Sequence, residues 1–132
     1  MKAIASASVV SGNENYRHDI STGRHTLVAD EPEHAGGRDA GPAPYDYILS
    51  GLGACTAITL RMYAERKGWN IGQIKVELEF FKNKEGESRI ERRLSSDAAL
   101  TDEQWGRLLE ISEKTPVTLT LKTGTPIATS KT

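Results

Sequence analysis

The spacing of hydrophobic and polar positions changes character several times along the 132 residues. From Ala3 to Val10 small, β-branched and polar residues alternate, and Ser11-Gly12-Asn13 follows with turn chemistry. Tyr16–Ile20 and His25–Ala29 flank Ser21-Thr22-Gly23, the pattern of a hairpin with glycine at its bend. These three runs predict a three-stranded antiparallel meander. Periodicity is then lost from Asp30 to Ala43, where Gly36-Gly37 and Gly41-Pro42 interrupt the chain. A loop of that length inside a compact domain is usually functional or mobile.

Pro44 suits the first turn of a helix, where its missing N–H costs nothing. From there to Lys67 the helical period is the clearest in the sequence. Tyr45, Ile48, Leu52, Cys55, Thr59 and Met62 recur at spacings of three and four, which predicts that they share one buried face. Ser50, Gly51, Gly53, Ala54 and Ala57 are small, and a mid-helix glycine costs about 1 kcal/mol against alanine. Close approach of a second helix would offset that cost. Gly68 marks the stop.

Strict alternation returns over residues 74–80, Ile-Lys-Val-Glu-Leu-Glu-Phe, the period of a half-buried strand. Lys82–Ser88 is a charged turn and Arg89–Leu94 the returning strand. Thr101 and Gln104 form a capping box ahead of Trp105, Leu108, Leu109 and Ile111, predicting an amphipathic helix from Asp102 to Glu113. The tail, with Val117-Thr-Leu-Thr-Leu and Pro126-Ile-Ala-Thr, reads as one or two strands. The element order is that of an α+β fold in a single domain over residues 1–132.

Composition narrows the function. Seventeen basic residues against eighteen acidic ones leave a net charge of −1, which argues against nucleic-acid binding through the phosphate backbone. The longest apolar stretch free of charge, Tyr47–Leu60, is shorter than the ~20 residues a bilayer span needs. No convincing signal peptide opens the chain, and a cytoplasmic location is expected. His18, His25 and His34 lack metal-ligand spacing, so neither a metal nor another cofactor is expected. No phosphate loop, dinucleotide fingerprint or nucleophile elbow occurs. One cysteine, Cys55, excludes an internal disulfide. Placed on a helix it reads first as a core residue. A reactive role requires a cation and hydrogen-bond donors around the thiolate, and Arg17, Arg24 and Arg38 are the candidates outside the helix.

The segment Gly41-Pro-Ala-Pro-Tyr-Asp-Tyr-Ile-Leu-Ser-Gly-Leu-Gly-Ala-Cys-Thr resembles the OsmC/Ohr family, the osmotically inducible and organic hydroperoxide resistance proteins. Leu60-Arg-Met-Tyr-Ala-Glu-Arg-Lys-Gly-Trp, the Ile90-Glu-Arg strand and Leu100-Thr-Asp-Glu-Gln extend the match in order along nearly the whole chain. The resemblance implies an intertwined homodimer with paired central helices and two sites at its interface. It also implies a thiol peroxidase active in the oxidative stress response. There a thiolate reduces an organic hydroperoxide, a second cysteine captures the sulfenic acid as a disulfide, and a dithiol restores the enzyme. Cys55 matches the peroxidatic position.

Three departures qualify that implication. The family's resolving cysteine precedes Pro-Val, and here Thr115 stands before Pro116-Val117. The resemblance also implies a short helix there, capped by Thr115 with Pro116 at its first position, against the strand propensity of Val117-Thr-Leu-Thr-Leu, so that residues 115–121 are open between helix and strand. The family's catalytic glutamate falls on Tyr45, leaving the adjacent Asp46 as the available acid. The family's hairpin arginine matches Arg17 best and Arg24 second. Two readings follow. In one, the protein is a one-cysteine peroxidase, with Cys55, Arg17 and Asp46 in catalytic roles and an external thiol as reductant. In the other, it is a dimeric binding or redox-sensing protein in which Cys55 is structural. An apolar pocket lined by Tyr45, Leu52 and Met62, with Arg24 and Thr115 beside it, would then hold a hydrophobic small molecule.

Overall fold

The computed structural model describes all 132 residues. It is α+β, and the chain clusters into two compact units, Met1–Ile48 and Leu49–Thr132, with the boundary one turn into the long helix.

In the N-terminal unit, β1 (Ser8–Ser11), β2 (His18–Thr22) and β3 (His25–Ala29) form the antiparallel meander, in sheet order β1-β2-β3. Val9 lies opposite Ile20, and Ile20 opposite Leu27. The first strand is shorter than the alternation suggested, and the second begins two residues later. The turn between β2 and β3 is Gly23-Arg24, since Thr22 already pairs with His25.

The aperiodic segment after β3 is organised around one side chain. Asp30 is 2% exposed, and its carboxylate accepts the backbone N–H groups of Glu31 at 2.8 Å, Arg38 at 3.2 Å and Ala40 at 3.0 Å. Those bonds, led by the one from Ala40 and joined by the charge of Arg17, hold the carboxyl below its ordinary value of 3.8 against the opposing pull of burial. A Cβ at Gly37 would run into the Glu31 carbonyl and one at Gly41 into the Val28 carbonyl, so both positions require glycine for space. Tyr47 closes the unit by donating its hydroxyl to the Val28 carbonyl at 2.5 Å.

Helix α1 runs from Pro44 to Lys67, the span expected from the sequence. The face it buries is not the expected one. Leu52, Thr56, Leu60 and Ala64 are buried at a strict spacing of four, while Ile48 and Met62 are 41% and 55% exposed. Leu60 and Ala64 join Ile71 and Leu108 in the core, with Tyr63, Trp69, Ile74, Leu94, Leu100, Trp105 and Ile111 packed around them. The hairpin of β4 (Ile74–Lys82) and β5 (Ser88–Ser96) is antiparallel, with Val76 opposite Leu94 and Phe80 opposite Ile90. Gly53 is small because of this hairpin. A Cβ there would come within 2.9 Å of the Leu78 side chain, so a strand supplies the close approach that the sequence suggested for a helix.

Helix α2 (Asp102–Ser112) carries the full capping box: the Thr101 hydroxyl accepts from the Gln104 N–H, and the Gln104 side chain accepts from the Thr101 N–H, both at 3.0 Å. The C-terminal strands are not formed. Residues 116–123 make a third helix, α3 (Pro116–Thr123), and the chain from Gly124 onward has no regular element. Thr115 has extended geometry, φ −67° and ψ 152°, as the residue before proline should, and Pro116 opens the helix. The alternating threonines favour a strand locally. The helix wins because it buries Thr118 in a polar contact that a surface strand would lack.

Candidate functional site

Cys55 is the free thiol of the chain, half-buried on α1. Its neighbour Thr56 is fully buried and turned into the unit. The Thr56 hydroxyl donates to the Leu52 carbonyl one turn back at 2.7 Å and accepts from Arg92 Nη1 at 3.0 Å. Arg92 Nη1 also donates to Thr118 Oγ1 at 2.9 Å, and Nη2 donates to the Ser112 carbonyl at 2.9 Å. Thr118 in turn shares a 2.6 Å hydrogen bond with the buried hydroxyl of Thr115. One guanidinium therefore ties the Cys55 turn of α1 to the end of α2 and the start of α3.

The position of Arg92 follows from strand periodicity. Ile90, Arg92, Leu94 and Ser96 point to the packed side of β5, and Glu91, Arg93 and Ser95 to solvent. An arginine in that inward register must satisfy its donors with protein oxygens, and here the three acceptors are all neutral. Every buried side-chain nitrogen and oxygen has a partner. Beyond the cluster, Glu113 pairs with Lys122 at 2.5 Å. That hydrogen bond, with smaller contributions from the charges of Lys122 and Arg92, lowers the Glu113 carboxyl below its ordinary 4.5.

The other residues singled out in the sequence are distributed as follows. Arg17 and Arg24 belong to the N-terminal unit: Arg17 pairs with Asp19 at 3.6 Å, and Arg24 sits in the β2–β3 turn. Asp46 accepts the Ala43 N–H at 3.0 Å and so caps the helix that carries it. Tyr45, beside it, is 48% exposed. In the C-terminal unit Leu52 is 4% exposed and Met62 55%, and ten helical residues separate them by ~15 Å along the axis. Thr115 is the expected residue that the structure connects to the Cys55 turn, through Thr118, Arg92 and Thr56. Arg92 is the residue that sequence reasoning missed, although its inward place between Ile90 and Leu94 is visible in the alternation.

A three-stranded meander, a long helix, and a hairpin with two further helices describe an α+β protein. Residues 36–130 match the family profile described as OsmC-like protein, and the chain belongs to that family. No curated protein sequence matches it. Solved structures share its fold. An OsmC-like protein from Mycoplasma pneumoniae has a TM-score of 0.72 at 18% identity, covering 92% of this chain and 89% of that one. An organic hydroperoxide resistance protein OsmC from Legionella pneumophila has a TM-score of 0.69 at 18% identity, covering 92% of each chain. The organic hydroperoxide resistance protein OhrB of Bacillus subtilis has a TM-score of 0.59 at 21% identity, covering 89% of this chain and 90% of that one.

Proposed function

We propose that this OsmC-like protein is a one-cysteine thiol peroxidase that reduces organic hydroperoxides through Cys55 and is recycled by an external thiol. Family membership supports the chemistry, and the names of its structural relatives support the substrate class. The observation that carries the one-cysteine form is residue 115. In the position of the family's resolving cysteine stands a threonine, fully buried and hydrogen-bonded to Thr118. Threonine cannot form a disulfide, so no second sulfur of this chain captures an oxidised Cys55.

In the first step the Cys55 thiolate attacks one peroxide oxygen. An S–O bond forms, the O–O bond breaks, and the alkoxide takes a proton to leave as an alcohol. In the second, an external thiol attacks the sulfenic acid, giving a mixed disulfide and water. A second thiol then releases its symmetrical disulfide and restores Cys55. The cation proposed for this chemistry is Arg17, the better match to the family's hairpin arginine, with Arg24 as the second choice. Asp46 is the acid proposed to act with them, and it also accepts the Ala43 N–H at the start of α1.

The functional form in this proposal is a homodimer. Ile58 and Met62 on α1 and Leu119 and Leu121 on α3 are 42–55% exposed, and a second copy would cover them. The test is to treat the protein with one equivalent of cumene hydroperoxide and trap sulfenic acid with dimedone. A single adduct on Cys55, with turnover in the presence of thiol and none in Cys55→Ser, supports the reading. An untouched thiol refutes it.

A further inference from the structure

Two contacts of the β4–β5 hairpin bracket Cys55 along α1. Before it, Gly53 lies against β4, where a Cβ would come within 2.9 Å of the Leu78 side chain. After it, the Thr56 hydroxyl accepts from Arg92 of β5 at 3.0 Å. Leu78 and Arg92 are direct cross-strand partners, so the two contacts form one patch on the inward face of the hairpin. Adjacent helix positions differ by ~100°, which puts Gly53 and Thr56 ~60° apart around α1 and Cys55 ~130° from the direction between them. The hairpin thereby fixes the rotation of α1 about its axis and presents the half-buried thiol on a flank turned away from it.

Of the two contacts only the second is directional. A helical threonine divides between two χ1 rotamers, because its hydroxyl can bond back to a carbonyl one turn earlier. Thr56 is fully buried, and its hydroxyl donates to the Leu52 carbonyl at 2.7 Å while it accepts from Arg92. Those two bonds use its single donor and commit it to one rotamer. Arg92 is anchored independently of α1, by Thr118 Oγ1 and the Ser112 carbonyl, each at 2.9 Å. We propose that Thr56, held by Arg92, is a positioning residue for Cys55. It locks the turn that carries the thiol at the rotation in which the sulfur meets a peroxide in line with the O–O bond, and it acts through the backbone of α1. The inference rests on the peroxidase reading and deepens it by naming the residues that aim the thiol.

Thr56→Val keeps the shape of the side chain and removes the hydroxyl, while Thr56→Ser keeps the hydroxyl. Intact mass follows oxidation of Cys55 by cumene hydroperoxide in the parent and each variant. Every rate is divided by that of alkylation with iodoacetamide, a small neutral reagent that samples the same thiol without a bound orientation. The ratio should fall about tenfold in Thr56→Val and return to within about twofold of the parent in Thr56→Ser, since a misplacement of about 1 Å can cost ~100-fold. Ser96→Ala controls for stability alone: on the same inward register of β5, its hydroxyl donates to the Ile71 carbonyl and accepts the Ala98 N–H, neither of them on α1. It should lower the urea midpoint and leave the ratio unchanged. Arg92→Lys, which keeps a cation without the planar fork, is read in the same way should Thr56→Val not fold, and its ratio should fall as well. A ratio at the parent's value in Thr56→Val or Arg92→Lys, a fall as large in Ser96→Ala, or a serine variant as slow as the valine one would overturn the inference. Failure of the peroxidase reading looks different and takes the inference with it: the parent Cys55 is then itself inert to cumene hydroperoxide.

Discussion

Replacing Arg92 with methionine tests whether the guanidinium organises the packing behind Cys55. The substitution keeps an unbranched apolar stem in the inward register of β5 and removes three hydrogen bonds of 2.9–3.0 Å. A hydrogen bond from a charged donor contributes roughly 1.5–3 kcal/mol, a gross loss of about 5–9 kcal/mol. Two effects reduce it. The variant no longer holds a half-buried cation away from water, which relieves several kcal/mol of desolvation on the scale of such groups. All three acceptors also keep a partner, since Thr56 still bonds the Leu52 carbonyl, Thr118 still bonds Thr115, and the Ser112 carbonyl still accepts from Thr118 Oγ1 at 3.3 Å. The net destabilisation should be about 2–4 kcal/mol, a large part of a typical domain's stability. Urea unfolding measures it as a lower midpoint at constant slope. Arg92→Lys, which keeps the charge but not the planar fork, should recover less than half. Arg93→Met is the control: its side chain faces solvent, pairs with Glu79 at 3.0 Å with both partners more than half exposed, and should cost no more than about 1 kcal/mol. If Arg92→Met is no worse than Arg93→Met, the guanidinium does not tie the three helices together.

Three further outcomes are expected. Thr115→Cys, oxidised by hydroperoxide and mapped without reduction, should yield an intramolecular disulfide between Cys55 and the introduced thiol, which needs Cα atoms within about 7 Å; exclusively intermolecular disulfides would contradict it. Gly53→Leu should destabilise the protein by about 1–3 kcal/mol in thermal unfolding, because its side chain would be driven into Leu78 of β4. Asp30 has a lowered carboxyl pKa, so its contribution is present above its ordinary value of 3.8 and is lost as pH falls through the lower folded value. Asp30→Asn should therefore melt earlier at neutral pH and lose less on acidification, and melting curves from neutral pH to below that value that stay parallel would refute the assignment.

Much of the fold was legible because its local signals agree with its packing. Pro44 and Lys67 bound α1 as the sequence suggested, the Thr101–Gln104 box opens α2, and the alternation of residues 74–80 forms β4. The failures are also physical. Tyr45, Ile48, Cys55 and Met62 suggest the buried face when hydrophobicity is the guide. Thr56 and Ala64, polar and small, mark it instead, because Arg92 supplies the threonine with a partner. Val117-Thr-Leu-Thr-Leu has strand propensity but opens at Pro116 and buries Thr118, and those tertiary terms outweigh propensity. The site was half legible. Cys55 and Thr115 stood out through resemblance, while Arg92 lay hidden among the charged residues of β5 although its register placed it inward.

The central claim is that Cys55 is a peroxidatic thiol selective for organic hydroperoxides and able to work without a second cysteine. The most direct measurement is the rate at which Cys55 is consumed by cumene hydroperoxide and by hydrogen peroxide, followed at neutral pH in the parent and in Arg17→Ala and Arg24→Ala. The account predicts fast loss with the organic peroxide, slower loss with hydrogen peroxide, and a marked drop in the first rate when Arg17 is removed. Equal, slow consumption of both peroxides at the rate of a free thiol, unchanged in either variant, would contradict it.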